Sequence, residues 1–384
     1  MMETDLAFLT APAGQALLAE LADQDIEAHL VTIVAHLRQT YPADQVNAAL
    51  TQAKLRRKAL AKFGDQARMM FFTDDALQQA SDPLIRAYRA GQVSGLSVVD
   101  LCCSIGADAL AFGTTNPDIL GVDIDPSRIA IARHNAAVLG LDHVRFVVDD
   151  VLTMPSPPAD VIFFDPARRD AHGRRIHDVR RYIPPLDTIL RYPADQHLVK
   201  LSPAVDVDQT QHIPSRLAFI SVGGDLKEAV MHVGESGRTA IYLDQTQTLE
   251  WHHDGDEPDA RIAPPRRYLI EPDPAIIRAG LVRQLAETLG GTLIDETIAY
   301  ITADEAPASA WVRSWEIIDW MPFNLKALRA CLKARDVGTV TVKKRGSPIT
   351  PEELTAKLKL KGSQRATVAL TRLEGKPVVL ILAG

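Results

Sequence analysis

Carboxylates lie at the ends of four short apolar runs in the middle of this 384-residue chain. They belong to Asp100, Asp123, Asp149, Asp150 and Asp165. A carboxylate accepts hydrogen bonds through two oxygens, so it suits ligands that present hydroxyls or amines. Runs of four to eight apolar residues bounded by turn residues are typical of buried parallel strands. Because ligands of doubly wound sheets bind beyond the carboxyl ends of the strands, we expect these side chains to line one crevice.

A turn of small residues follows the first apolar run. It extends from Cys102 to Ala107 and reads Cys-Cys-Ser-Ile-Gly-Ala. Small residues let the backbone turn sharply and approach a ligand, and the next helix offers free N–H groups at its start. Asp123 follows Gly106 by 17 residues. This spacing suits hydrogen bonds from both hydroxyls of a ribose to the carboxylate.

A nicotinamide dinucleotide is the first alternative ligand. Its pyrophosphate is cradled by a G-x-G-x-x-G turn, which this chain lacks, and the turn here has acidic neighbours in Asp100 and Asp108. We therefore predict a positively charged ribonucleoside without phosphate. S-adenosylmethionine fits, with Asp100 or Asp108 close to its amino acid moiety and Asp149 or Asp150 close to its adenine amine.

Segments with helical spacing separate the apolar runs, which predicts a doubly wound α/β sheet over residues 93–250. Within it, Asp125 caps a predicted helix that ends at Gly140. Ala- and Leu-rich segments predict a helical domain over residues 1–92. A mixed pattern of helices and strands predicts an α+β domain over residues 265–384.

The apolar runs and their turns resemble the motifs of class I S-adenosylmethionine-dependent methyltransferases. DLCCSIGADALAF, HNAAVLGL and FFDPARR are similar to a bacterial group that has a C-terminal THUMP-like domain and is akin to RNA guanine-N2 methyltransferases. YLIEPDPAIIRAGLV, WMPFNLKALRA and VKKRG resemble the C-terminal domain of that group. The resemblance covers most of the chain from about residue 95 onward. It implies a Rossmann-like sheet, a THUMP-like domain and methyl transfer to a base amine in RNA.

Two sets of site residues follow from the motifs. The predicted cofactor contacts are Asp100, Cys102, Ser104, Gly106, Asp108, Asp123, Ile124, Asp149, Asp150 and Val151. The predicted catalytic groups are the carboxylate of Asp165 and the backbone carbonyl of Pro166, which would accept hydrogen bonds from the amine that is methylated.

The chain departs from the usual motifs at two points. Ser104 and Ala107 stand where glycines are common. The fourth motif reads Asp-Pro-Ala-Arg, where amino-group methyltransferases have Asp/Asn-Pro-Pro-aromatic, so Arg168 replaces the aromatic residue that stacks on a target base. The plane of an arginine side chain also stacks on bases.

The net charge of −7 argues against a surface that is uniformly adapted to nucleic acid, but the charge is unevenly distributed. From residue 321 to 384 there are 13 Lys and Arg against 4 Asp and Glu, and six arginines lie between residues 168 and 181. Arginine suits phosphate through its planar fork of donors, so we expect a polyanionic substrate. The alternatives are exposed Arg–Asp pairs and general solubility. The predicted substrate contacts are Arg168, Arg169, Lys200, Lys343, Lys344 and Arg345.

Other classes of protein are not favoured. No apolar run approaches the length of about 18 residues that spans a bilayer, and the acidic N-terminus does not read as a signal peptide. Three cysteines build neither a disulfide framework nor a zinc site, and we expect His252 and His253 in a solvent-exposed loop rather than at a metal. These features predict a cytoplasmic protein without metal or membrane contact, and they leave the oligomeric state open.

Three functions remain open at this point. The first is methylation of an RNA base amine such as guanine N2. The second is methylation of a protein or a small molecule. The third is cofactor binding without catalysis, since the first turn departs from the glycine-rich pattern.

Overall fold

The computed structural model describes residues 3–168, 173–174 and 176–383. The chain divides into two units. The first contains Met1–Arg216 and Lys227–Glu235, and the second contains Leu217–Leu226 and Ser236–Gly384. The three domain limits expected from the sequence stay predictions.

Six helices form the N-terminal part of the first unit, which confirms the predicted helical region. They are α1 (Glu3–Thr10), α2 (Pro12–Ala22), α3 (Ile26–Leu37), α4 (Ala43–Phe63), α5 (Asp74–Gln79) and α6 (Pro83–Gln92). Polar side chains fix where the last two begin. Thr73 accepts a hydrogen bond from the Ala76 amide at the start of α5, and Asp82 accepts one from the Leu84 amide at the start of α6.

The sheet of the first unit has the predicted α/β character. Its strands are β1 (Val98–Leu101), β2 (Ile119–Asp123), β3 (Val144–Val148), β4 (Val161–Phe164), β5 (Gln196–Leu201) and, after β6 (Ser215–Val222), β7 (Asp225–Val233). The order is β3-β2-β1-β4-β5-β7. β1 to β5 pair in parallel, and β7 pairs antiparallel with β5. β1 and β4 are buried along their whole length, as expected for central strands covered on both faces.

Helices follow the first two strands and bring the chain back across the sheet. They are α7 (Ala107–Phe112) and α8 (Pro126–Val138). Asp125 accepts hydrogen bonds from the amides of Ser127 and Arg128 and so caps α8, and Gly140 follows that helix with φ +68°. Both ends of α8 lie where the sequence predicts them. Because β1 to β4 run parallel, the turns that follow these strands lie at one edge of the sheet.

The second unit contains two sets of paired strands. β6 pairs with β8 (Arg238–Leu243), which pairs with β9 (Thr248–His253). A seven-stranded sheet has the order β11-β12-β10-β13-β16-β15-β14. Its strands are β10 (Tyr268–Pro272), β11 (Thr292–Asp295), β12 (Ile298–Ala303), β13 (Val312–Pro322), β14 (Val337–Lys344), β15 (Gln364–Leu373) and β16 (Lys376–Leu382). Four helices accompany it: α9 (Pro274–Arg278), α10 (Val282–Thr288), α11 (Leu325–Ala334) and α12 (Pro351–Leu358).

Two local expectations in the second unit are wrong. The helical spacing of AIIRAGLVRQLAETLGG predicts a single helix from residue 275 to the paired glycines, but Gly280 adopts φ +70° and separates α9 from α10. His252 and His253 were expected in a loop, but they end β9. β9 alternates between exposed and half-buried residues, so its polar composition reflects one solvated face of a strand.

Two further properties concern the described part of the chain alone. None of its helices combines the length and the apolar character that crossing a membrane requires. No group of three or more His, Cys, Asp or Glu side chains in the described ranges is arranged to hold a metal ion.

Candidate functional site

The turn after β1 has a backbone that normally calls for glycine. Cys102, Ser104 and Gly106 have φ angles of +64°, +52° and +81°. A Cβ atom on Gly106 would lie 2.9 Å from the ring of Phe146, so only glycine fits there. Ser104 stands where glycine is common and still adopts the left-handed conformation. Serine at this position therefore does not prevent the left-handed backbone.

A cavity of about 470 Å³ lies at the carboxyl edge of the first unit's sheet; we call it the cofactor cavity. The predicted site residues that line it are Cys102, Ser104, Asp108, Asp123, Ile124, Asp149, Asp150, Val151, Asp165 and Lys200. Among the predicted cofactor and catalytic residues, Asp100, Gly106 and Pro166 lie outside its lining.

Asp123 is held rigidly at the end of β2. Its Oδ2 accepts a hydrogen bond of 2.8 Å from the Ser104 amide, and its Oδ1 accepts one of 2.9 Å from the Asp125 amide. Each carboxylate oxygen has two lone pairs, so both oxygens keep a further acceptor position. The arrangement suits a pair of vicinal hydroxyls, as the spacing from Gly106 predicts.

The cofactor cavity also has exposed apolar walls. Ile124, Leu152 and Ile183 line it with 67%, 42% and 53% of their surface exposed. Exposed apolar side chains in a cavity are stabilised when a flat, uncharged ring system of a ligand covers them. Together with the carboxylates of Asp123 and Asp150, these walls fit a ribonucleoside such as the one in S-adenosylmethionine.

Asp165 and Lys200 form an ion pair between the ends of β4 and β5. Lys200 Nζ donates to Asp165 Oδ2 over 2.7 Å and to the Gln79 carbonyl over 3.1 Å, and it lies 3.9 Å from Asp108 Oδ2. The Lys200 side chain is buried, whereas Asp165 keeps 24% exposure. Burial alone would lower the pKa of Lys200, but Asp165 and Asp108 outweigh it and raise that pKa above its usual value.

The ion pair belongs to a larger buried network. Arg89 on α6 donates to Asp108 and to Glu228 on β7. Ser81 donates to Glu228 over 2.8 Å. Burial opposes ionisation of Asp108, but Arg89 and Lys200 outweigh this effect and lower its pKa. A buried charge of this kind is tolerable only when paired and hydrogen-bonded.

Asp100 has a different environment. It is 1% exposed, and neither carboxylate oxygen has a hydrogen-bond partner within the described ranges. Burial, reinforced by the charges of Asp108 and Asp165, raises the pKa of Asp100 well above its usual range. Folding therefore makes this carboxyl easier to protonate, and a contact of Asp100 with the cofactor stays a prediction.

The predicted substrate contacts lie in different places. Arg168 lines a second cavity of about 420 Å³ in the first unit, and Arg169 lies outside the described residues. Lys200 is buried against Asp165. In the second unit, Lys343 and Arg345 both donate to Glu271, over 2.8 and 3.2 Å, while Lys344 is exposed.

Sequence reasoning missed several residues of the site. The missed lining residues include Ala76, Gln79, Ala80, Arg128, Leu152, Tyr182 and Ile183. Arg180 and Arg181 were identified only as members of the arginine-rich segment. That segment was the one sequence signal for this part of the cofactor cavity lining. Arg89 and Glu228 were also missed, because no motif marks a pair of residues that lies 139 positions apart.

Three family models match the chain. One described as a methyltransferase domain matches residues 92–202, and one described as THUMP domain-like matches residues 312–383. A domain of unknown function matches residues 3–59.

An uncharacterized S-adenosylmethionine-dependent methyltransferase from Mycobacterium tuberculosis (strain ATCC 25618 / H37Rv) is 34% identical over 333 residues, which cover 83% of this chain and 90% of that protein. An uncharacterized RNA methyltransferase from Caldanaerobacter subterraneus subsp. tengcongensis is 26% identical over 98 residues, or 25% of this chain and 22% of that protein. A crystal structure from Porphyromonas gingivalis W83, described provisionally as a methyltransferase, has the same fold. It superposes with a TM-score of 0.77 at 21% identity and covers 96% of this chain and 97% of that one. Because the mycobacterial relative matches along most of both sequences, the chain belongs to the S-adenosylmethionine-dependent methyltransferases and uses S-adenosylmethionine as its cofactor.

Proposed function

We propose that this methyltransferase modifies an exocyclic amine of an RNA base, and that the base is guanine methylated at N2. The observation that carries the proposal is the position of Asp165, a partly exposed carboxylate at the edge of the cofactor cavity with one oxygen held by Lys200. When bound, the cofactor supplies a methyl group on a positively charged sulfur.

Asp165 is suited to making a base amine more reactive. The lone pair of such an amine is delocalised into the ring, which makes the nitrogen a poor nucleophile. Lys200 donates to Oδ2, and no other described side chain donates to the carboxylate, so Oδ1 is available to accept a hydrogen bond from the amine. That bond, together with one to the Pro166 carbonyl, would orient the amine and direct its lone pair toward the methyl group.

Lys200 has a role in this mechanism that differs from the predicted substrate contact. Its buried ammonium is fixed by the Gln79 carbonyl as well as by Asp165. It therefore sets the orientation of the Asp165 carboxylate. We assign Lys200 as a positioning residue for Asp165.

The choice of RNA rests on charge and on similarity. Arg180 and Arg181 line the cofactor cavity together with Asp165, and Arg168 lines the second cavity, so cations suited to phosphate line both cavities. Arg180 is also paired with Asp178 over 2.8 Å. The relative from Caldanaerobacter carries the name RNA methyltransferase, and the THUMP domain-like match covers residues 312–383. The Arg168 plane would stack on the target base in place of the usual aromatic ring.

The test is transfer of tritiated methyl groups from S-adenosylmethionine into total RNA from cells that lack this enzyme, followed by digestion and identification of the labelled nucleoside. We expect label in N2-methylguanosine. We expect Asp165→Ala to lower the rate by about 10²–10⁴-fold, because a positioned hydrogen-bonding group is lost from the reacting centre.

The matched control is Asp142→Ala, which removes an exposed carboxylate outside both cavities. It should leave the rate unchanged. Asp165→Ala protein that binds cofactor and keeps full activity would refute the role of Asp165. No label in RNA, with cofactor binding confirmed by calorimetry, would refute the RNA substrate and favour a protein or small-molecule acceptor.

A further inference from the structure

The apolar walls of the cofactor cavity lie on two sides of it. Ile124 directly follows Asp123 at the end of β2, and Leu152 follows β3. Ile183 comes from the segment after β4. β1 lies between β2 and β4, and neighbouring strands are about 4.8 Å apart, so the ends of β2 and β4 are separated by about 10 Å. One side of the cavity therefore carries Asp123, the carboxylate suited to a ribose, and the other carries Asp165.

The backbone holds Ile183 on the Asp165 side. The Ala167 amide donates to the Ile183 carbonyl over 2.8 Å, and the Ile183 amide donates to the Ala167 carbonyl over 3.1 Å. Ala167 follows Asp165 by two residues, and all three residues line the cofactor cavity. Because 53% of Ile183 is exposed, it presents open apolar surface on the side of the cavity where Asp165 would hold the acceptor amine.

The other residues that could cover a base are less well placed. Tyr182 is the one aromatic residue among the described lining residues of the cofactor cavity, but it is only 2% exposed. Arg168 lines the second cavity and not the cofactor cavity. A base has two faces, so Arg168 could cover at most one of them. The face that is turned toward the cofactor cavity needs a different partner.

We propose that Ile183 covers this face of the acceptor base while Asp165 holds the amine. Every base offers a flat face to such a side chain, so the contact favours a planar heterocycle without choosing among the bases. An aliphatic amine or a carboxylate would lose hydration against Ile183 without a compensating contact. This inference rests on the proposed function, and it assigns to a residue outside the fourth motif part of the stacking role that the motif's missing aromatic residue would have.

The test measures kcat and KM for RNA in the tritium-transfer assay, and the Kd for S-adenosylmethionine by calorimetry. We expect Ile183→Ala to raise the KM for RNA about 5–20-fold, because the base loses most of the apolar surface that covers it. The kcat should change by less than about twofold, since the contact is the same in the ground state and the transition state. The Kd for S-adenosylmethionine should not change. Ile183→Phe should keep the KM within about twofold of the wild type, because an aromatic ring also covers a base.

Two matched controls remove the same apolar bulk elsewhere. Ile124→Ala changes the Asp123 side of the cavity, and it should raise the Kd for S-adenosylmethionine without raising the KM for RNA. Leu190→Ala changes a residue of the first unit that is 57% exposed and lies outside both cavities. It should change neither quantity.

The outcomes separate this contact from the proposed function. If the wild type methylates RNA but Ile183→Ala weakens cofactor binding instead of raising the KM, Ile183 belongs to the cofactor side and its contact with the base is wrong, while the proposed function stands. An unchanged KM in Ile183→Ala, an equal rise in Leu190→Ala, or an Ile183→Phe protein as impaired as Ile183→Ala would have the same meaning. If the wild type labels no RNA, both are wrong.

Discussion

The two regions that the sequence marks as basic substrate contacts hold their cations in different ways. In the first unit, Lys200 is buried against Asp165. In the second unit, Lys343 and Arg345 stay partly exposed and share one carboxylate, that of Glu271. In the sequence the three cations look alike. In the structure, the first is fixed within a network, and the other two form a surface cluster.

This difference in burial determines whether a cation can be replaced without a large change in the stability of the fold. A buried ion pair gives up solvation, so removing one partner leaves a charge that nothing compensates. A partly exposed ion pair contributes little to the stability of the fold, because water and salt screen the attraction between its charges. The surface cluster can therefore change with little loss of stability, while the buried network ties the geometry of Asp165 to the folding of the first unit.

We expect the largest effect when the buried network is broken at Arg89. Arg89→Met removes the cation between Asp108 and Glu228, which are themselves buried. We expect a loss of about 3–5 kcal/mol in the free energy of unfolding of the first unit, measured by urea denaturation. The matched control is Arg145→Met, whose partner Asp118 lies 2.8 Å away on the surface and which should lose less than about 1 kcal/mol. Equal losses in both variants would show that burial of this network has no special cost.

The second prediction tests the buried region of the first unit through the pH dependence of its stability. Because the folded protein raises the pKa of Asp100, folding favours the protonated carboxyl. At this carboxyl the folded state then binds more protons than the unfolded state above about pH 4, so the contribution of Asp100 to stability falls as pH rises through this range. Asp100→Asn removes that titration. We expect its stability relative to wild type to grow with pH, by at most about 1.4 kcal/mol per pH unit.

The measurement is urea unfolding of both proteins at several pH values between 4 and neutrality. A difference between them that does not change with pH would contradict a raised pKa of Asp100. A difference of the opposite sign would mean that the ionised carboxylate has a stabilising partner in the folded protein.

Sequence reasoning predicted the local parts of the site and missed the parts that tertiary structure assembles. The spacing between Gly106 and Asp123 was enough to place a carboxylate beside the first turn, because both lie in one strand–helix–strand unit. By contrast, Gln79 precedes the sheet and Ile183 follows β4 by a long connection, so no periodicity brings them to the cofactor cavity. Likewise, composition alone could not show that Lys343 would meet a glutamate 72 residues earlier.

The third prediction tests the surface cluster of the second unit. Burial raises the pKa of Glu271, but hydrogen bonds from Lys343 and Arg345 outweigh it and lower that pKa. The stabilisation is therefore present above about pH 4.3, the usual value for glutamate, and is lost as pH falls through the lowered value. Glu271→Gln should cost about 0.5–1 kcal/mol at neutral pH and nothing in strong acid. Urea unfolding at both pH values checks this, and a cost that persists in acid would contradict it.

We expect the smallest effect from replacing one residue with glycine in each of the two units. Ser104 in the first turn and Lys359 after α12 both have left-handed backbones, with φ of +52° and +51°. Glycine relieves a strain of about 1–2 kcal/mol but adds about 0.5–1 kcal/mol of backbone entropy to the unfolded chain. Ser104→Gly and Lys359→Gly should therefore each stabilise the protein by less than about 1 kcal/mol in urea unfolding.

Cofactor affinity then separates the two positions. Ser104 meets Asp123 through its backbone amide, which glycine keeps, so the Kd for S-adenosylmethionine should stay the same in Ser104→Gly as in Lys359→Gly. A weaker Kd in Ser104→Gly alone would mean that the serine hydroxyl itself contacts the cofactor. The departure from glycine at this position would then be an adaptation for binding, whereas an unchanged Kd leaves it as a tolerated strain in a turn whose shape Gly106 and Asp123 maintain.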